Sequence, residues 1–191
     1  MLQKVPAVLG RLLGRARAGS EELAYNEPGF ADVPASLEVS SPAFVDDGPL
    51  PVGCTDDGDK LSPALNWAGV PPEAESVVLI VEDADSPTPS PLVHAILWDL
   101  PGEDGAIGQG DLDGPTSVGE GHQLGQNGFR RAEYLPPDPP KGHGRHRYAF
   151  QVFALDRRLD FDRAPSRREV VDAMQGRVLA KGCLVGTYER R

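Results

Sequence analysis

The sequence predicts a β-dominated domain with peripheral α structure, and three observations carry that prediction. The 191 residues include 22 Gly and 19 Pro, far more turn formers than a helical bundle accommodates. Short runs such as Val77-Val78-Leu79-Ile80-Val81 and Tyr148-Ala149-Phe150-Gln151-Val152-Phe153-Ala154-Leu155 are β-branched or aromatic and lie between turn signals. A hydrophobic content of 39% is enough for one domain with a sizeable core.

Residues 1–35 read as an N-terminal arm, partly helical, because Val5, Val8, Leu9, Leu12, Leu13 and Ala16 recur at roughly helical spacing among basic residues. Gly10 and Gly14 weaken that helix and its cations are few. The arm is therefore expected to pack on the domain, or on a subunit partner in a homodimer, rather than on a membrane. Lys4, Arg11, Arg15 and Arg17 also interrupt any signal-peptide core. No transmembrane segment is expected and the cytoplasm is the expected compartment.

The domain proper is read over residues 36–191. From Leu37 to Trp67, Asp46-Asp47-Gly48, Asp56-Asp57-Gly58 and Ser62-Pro63 punctuate short apolar stretches, the pattern of strands joined by tight turns. The Asp-Gly pairs are turn chemistry, since the distal Glu of a calcium loop is missing. Val77 to Val81 reads as a buried strand that delivers Asp83 to its end. Pro87, Pro89 and Pro91 then delay regular pairing until Leu92, where a second run to Leu100 carries His94 near its start. Gly102 to Gly128 is glycine-rich and poorly patterned, which predicts a long ordered loop; it lacks the residues of a phosphate-binding or dinucleotide fingerprint. Ser166-Arg167-Arg168-Glu169 matches a capping box. Val170, Val171, Met174, Val178 and Leu179 extend the predicted helix toward Gly182, and Cys183 to Tyr188 reads as a final strand.

A net charge of −10 and a pI near 4.8 oppose binding to nucleic acid, whose phosphates need a basic surface. Cys54 and Cys183 form neither a disulfide framework nor a metal pair, and two reduced thiols are expected.

Two polar clusters carry the chemistry. Glu82-Asp83-Ala84-Asp85-Ser86-Pro87, followed by His94, and His143-Gly144-Arg145-His146-Arg147-Tyr148 bring carboxylates, imidazoles, guanidiniums and a phenol to places where strands meet loops. His143 and His146 lie in a loop rather than at the helical spacing of a zinc site, so no metal ligand is assigned. Asp83 with His94 or His146 could act as a base and its orienter. Neither Ser86 nor Ser90 sits in a nucleophile elbow, so no catalytic residue is assigned and a hydrolase is the alternative.

These clusters resemble the Asp-Pro-Asp-x-Pro, His and His-Arg-Tyr signatures of the phosphatidylethanolamine-binding protein family, nearest its bacterial Raf-kinase-inhibitor-like branch. Ser62-Pro63-Ala64-Leu65-Asn66-Trp67, Pro139-Pro140-Lys141-Gly142 and Gly186-Thr187-Tyr188 add to a resemblance that runs from about Leu37 to Arg191. It implies a large central antiparallel sheet packed against a smaller sheet, with C-terminal helices on the other face and a small anion pocket at one end. The implied ligand-binding residues are Asp83, Pro87, His94, Pro140, His146 and Tyr148, joined by Tyr188. Among them His94, His146 and Tyr148 would donate to phosphate oxygens, while Pro87 and Pro140 shape the walls. Asp85 and Arg147 are expected to form a structural ion pair that clamps the clusters together.

The implied function is non-catalytic binding of a small phosphorylated or anionic ligand, without a cofactor, in a regulatory protein that modulates a kinase or another signalling partner. Inhibition of a protease or kinase through surface loops is the second alternative. Two departures stand out. Ala84 replaces the usual proline between the carboxylates, which is expected to loosen that turn, and Tyr134 to Pro140 lacks the usual glycines and adds Asp138 near the mouth. An ionised Asp83 would repel a phosphate dianion unless a proton is shared, so coupled titration favouring mildly acidic pH is expected.

Overall fold

The computed structural model describes residues 16–112 and 123–190. Nine strands build two sheets among these residues. The small sheet contains β1 (Glu38–Ser40), β3 (Leu65–Ala68) and β6 (Gly105–Ile107), in the order β1-β3-β6. The large sheet contains β2 (Gly48–Pro49), β4 (Ser76–Asp83), β5 (Leu92–Pro101), β7 (Gln123–Leu124), β8 (His146–Leu155) and β9 (Val178–Tyr188), in the order β2-β9-β8-β4-β5-β7. Every pairing in it is antiparallel except that of the two-residue edge strand β2 with β9.

Both faces of the large sheet are covered, which is why its central strands read as continuous apolar runs. Side chains alternate with period two. Val77, Leu79 and Val81 of β4, with Phe150 and Val152 of β8, therefore pack toward Leu65, Trp67 and Ile107 of the small sheet. Val78, Ile80, Phe153 and Leu155 face the other way and meet the C-terminal helix α1 (Arg167–Met174) through Val170, Val171 and Met174.

Helix α1 starts where the capping box places it: Ser166 Oγ accepts the Glu169 N–H, and the Glu169 carboxylate accepts the Ser166 N–H at 2.8 Å. The predicted extension toward Gly182 is corrected. The helix stops at Met174, Gly176 adopts a positive φ of 67°, and Val178 and Leu179 begin β9. Val178 packs on the same side of the sheet as the helix, so an apolar residue at helical spacing served a strand instead. The Gly102–Gly128 segment is also corrected where it is described, because Gly105–Ile107 is the third strand of the small sheet and Gln123–Leu124 pairs with β5.

The helical pattern from Val5 to Leu13 lies outside the described residues. Residues 16–35 lie along the large sheet in three short 3-10 turns, Ser20–Glu22, Ala24–Asn26 and Pro28–Phe30, which bury Ala24 and Phe30 on the helix side. The Lys181 ammonium holds this segment by donating to the Tyr25 and Phe30 carbonyls at 2.9 and 2.8 Å.

Candidate functional site

The pairing of β4 with β8 runs without interruption from Ser76 opposite Leu155 to Asp83 opposite Tyr148. Asp83 thus ends β4 on the small-sheet face, the face shared by His146 and Tyr148 at the start of β8. His94 arrives differently. Val81 pairs with Ala95 and Glu82 with Val93, so His94 is the extra residue of a β-bulge. The bulge puts Val93 and Ala95 in different cores, on opposite faces of the sheet, and re-aims His94 toward the ends of β4 and β8.

Asp83, His146 and His143 form a buried chain. His146 Nδ1–H donates to Asp83 Oδ2 at 2.7 Å, and His143 Nδ1 lies 2.7 Å from His146 Nε2. One of these two nitrogens donates to the other, so the chain runs unbroken from the carboxylate to His143. Gly142 and Gly144, at φ of 80° and 99°, bracket His143 and turn its ring inward. Asp83 Oδ1 in turn accepts the Asp85 N–H at 2.8 Å.

His94 Nδ1 lies 2.5 Å from the Leu135 carbonyl, which can only accept, so Nδ1 carries the proton. His94 Nε2 is buried and has no partner among the described residues. Burial pushes the His94 pKa down, against the pull of the Asp83 charge, and keeps the ring neutral near pH 7. The neighbouring Tyr148 hydroxyl is also buried without a partner, and burial followed by the Asp83 charge raises its pKa well above the usual phenol range.

These groups meet at a cavity of about 390 Å³. Asp83, Pro87, His94, Pro140 and His146 line it, as do Leu92, Phe129 and Leu135. Tyr148 sits behind the lining, with its ring edge-on to His94. Tyr188 stays outside, where its hydroxyl donates to Asp57 Oδ2 at 2.7 Å. Two further carboxylates, Asp56 and Asp138, line the cavity, and among the described residues no Lys or Arg does. Asp56 pairs with Lys60 at 2.7 Å, and Asp138 pairs with Arg190, whose guanidinium also meets Asp57. One guanidinium thus serves both Asp57 and Asp138.

Asp85 points away from the cavity. It takes Arg147 Nε on Oδ2 at 2.7 Å and Arg147 Nη2 on Oδ1 at 2.8 Å, while Arg17 reaches Oδ1 from the arm at 2.7 Å. Sequence reasoning missed Arg17, which also donates to the His143 and Arg145 carbonyls and so ties the arm to both clusters. It also missed Glu82. That fully buried carboxylate accepts from Arg167 Nε, Gln151 Nε2 and the Ala24 N–H at 2.7, 2.9 and 2.8 Å. In the sequence Glu82 merely opens the first polar cluster, and nothing near it announces these partners. The expectation of a looser turn at Ala84 is revised, because its N–H donates to the Arg147 carbonyl at 3.0 Å, a bond proline cannot make.

Residues 40–189 match the family model described as phosphatidylethanolamine-binding protein. A UPF0098 protein of Pyrococcus horikoshii is 35% identical over 195 residues, covering 100% of this chain and 96% of its own. The crystal structure of a phosphatidylethanolamine-binding protein homolog from Chlamydia trachomatis superposes with a TM-score of 0.73 at 31% identity, covering 82% of this chain and 99% of its own. YbcL of Escherichia coli, described as a new member of the mammalian family, gives a TM-score of 0.75 at 26% identity, over 82% of this chain and 100% of its own.

Proposed function

Since the chain belongs to the phosphatidylethanolamine-binding protein family, we propose that it is a non-catalytic binding protein whose cavity holds a small anionic head group, phosphate or a phosphorylated small molecule. Occupancy of the cavity would modulate a protein partner such as a kinase or protease. The observation that carries this reading is the buried, unpartnered His94 Nε2 on a ring that lines a largely apolar cavity, since a polar atom left unpaired in such a place costs about 1–3 kcal/mol unless a ligand engages it.

Turnover is disfavoured by the state of Ser86, whose side chain lines the cavity with the imidazoles. Ser86 Oγ lies 2.6 Å from Thr88 Oγ1 and accepts the Leu92 N–H at 3.2 Å, so no imidazole activates it as a nucleophile. Cys54 and Cys183 form no disulfide among the described residues, which fits a reducing compartment, and the proposal places the protein in the cytoplasm. Among the described residues no helix is long and apolar enough to cross a membrane.

The test is an NMR titration with phosphate and phosphoethanolamine between about pH 5 and 8, following the imidazole signals of all four histidines. Saturable shifts centred on His94 and His146 are the expected result. Unchanged spectra at millimolar ligand would remove the anion pocket and turn the search toward surface loops.

A further inference from the structure

The segments that lead into β5 and α1 meet the turn at residues 127–131 around a second hollow, a groove of about 510 Å³. Arg130, Arg167 and Arg168 line it and, among the described residues, no carboxylate does, in a chain whose 29 Asp and Glu outnumber its 19 Lys and Arg. Arg167 is already held by Glu82 and Glu27. The other two keep their charge available. Arg130 is exposed and makes no ion pair among the described residues, and Arg168 has only an exposed contact of 3.5 Å with Asp172, which solvent screens.

The turn that carries Arg130 is organised by the buried Asn127. Its Oδ1 accepts the Phe129 and Arg131 N–H groups at 2.9 and 3.2 Å, its carbonyl accepts the Arg130 N–H at 2.8 Å, and its Nδ2 donates to the Glu133 carbonyl at 3.1 Å. These bonds hold Arg130 at a φ of 62°, a left-handed backbone that glycine would adopt without strain and a long side chain rarely does. Phe129, beside it, is half exposed, and Thr88, Leu92 and Gly128 line both this groove and the cavity, so the two hollows share a wall.

We infer that the groove is the docking site for an acidic peptide segment of a partner protein, with Arg130 and Arg168 receiving its carboxylates and Phe129 packing an apolar residue beside them. The inference rests on the proposed function only for the existence of a partner, and adds its place and chemistry. A short segment confines its charge to the groove. RNA or an anionic membrane would extend beyond it over a chain of net charge −10 and be repelled. Aromatic and arginine side chains are also the ones that dominate protein–protein contacts.

The experiment selects a displayed library of random peptides on the immobilised full chain and measures the enriched peptides by calorimetry. Enrichment of Asp and Glu beside an apolar residue is expected, with affinity falling as salt rises. Arg130→Gly and Arg168→Gln should each weaken these peptides about tenfold. Arg130→Gly should unfold at no lower a temperature than the wild type, since glycine accepts the left-handed backbone, so its loss of binding is not a loss of folding. The phosphate response of His94 should survive that variant, which separates groove from cavity. Peptide binding by a chain whose histidines ignore phosphate would overturn the anion pocket and leave the docking site standing. Enrichment without acidic residues, a library that yields no binder, or equal affinity for the wild type and the double variant overturns the docking site. So does tighter binding, sensitive to the same two substitutions, of an RNA oligonucleotide or of phosphatidylglycerol vesicles, which would assign the groove to a nucleic acid or a membrane.

Discussion

The His94 and Tyr148 rings meet edge-on, with centroids 5.1 Å apart and planes at 88°, and each ring carries one buried polar atom with no partner among the described residues. Two such atoms on adjoining rings are costly to a folded protein. Of the two rings only His94 lines the cavity, with Tyr148 packed behind it.

Tyr148→Phe should raise stability in the absence of ligand by about 1 kcal/mol, since it removes a desolvated hydroxyl and keeps the ring. The same substitution should change phosphate binding only modestly, because Tyr148 packs behind His94 rather than lining the cavity. Urea unfolding and calorimetry measure the two effects, and loss of stability would mean that the hydroxyl has a partner in solution.

Neutral His94 links stability to pH. Its native pKa is lowered by burial, so its contribution is fully present above the unfolded value of about 6.5 and is lost as pH falls through the native pKa. The urea midpoint should therefore drop more steeply below pH 6.5 for the wild type than for His94→Gln.

Arg147→Ala should cost about 2 kcal/mol, less than a fully buried pair because Arg147 is partly exposed and Arg17 remains on Asp85. Arg17→Ala should cost less, and the double variant more than the sum, since each guanidinium covers for the other. Asp85 itself is pushed up by burial but held down to about 2 by hydrogen bonds from Arg147 and Arg17. Its contribution is thus present above about pH 4 and disappears as pH falls toward 2, and Asp85→Asn should remove that part of the acid transition.

Arg167→Met should cost about 3 kcal/mol and loosen the arm, because it strands the buried Glu82 carboxylate and removes the bonds from α1 to Glu27 and to the Glu22 carbonyl. Hydrogen exchange at Ala24 and limited proteolysis within residues 16–35 report the loosening. Unchanged protection there would mean that Phe30, Lys181 and Arg17 hold the arm without Arg167.

Much of the fold was legible because local pattern and tertiary environment agree. The runs in β4 and β8 are apolar on both faces and are covered on both faces. The proline series ends where β5 begins. Ser166 and Glu169 make the reciprocal bonds that their spacing announces. Legibility failed where one pattern serves two structures: Val178 fits a helical stripe and an inward strand position equally well. Within the site, the motifs pointed to Asp83, His94 and His146, all of which line the cavity. Tyr188 did not join them, because a strand residue at the sheet's edge can turn its hydroxyl either way, and Asp57 captured it. Arg17 and Glu82 were beyond reach, since their partners lie 128 and 85 residues away, at Arg145 and Arg167, and no local periodicity records such distances.

The bulge at His94 separates the cavity lining from the architecture of the sheet. Val93 and Ala95 already satisfy the pairing with Glu82 and Val81, so the imidazole between them is surplus to the ladder. Loss of that single residue would restore an ordinary run of side chains alternating between the two cores, and the sheet could survive while the ligand site vanished. A lineage built on this scaffold can therefore gain or discard the pocket through a change of one residue in length, without renegotiating the contacts that keep the molecule folded.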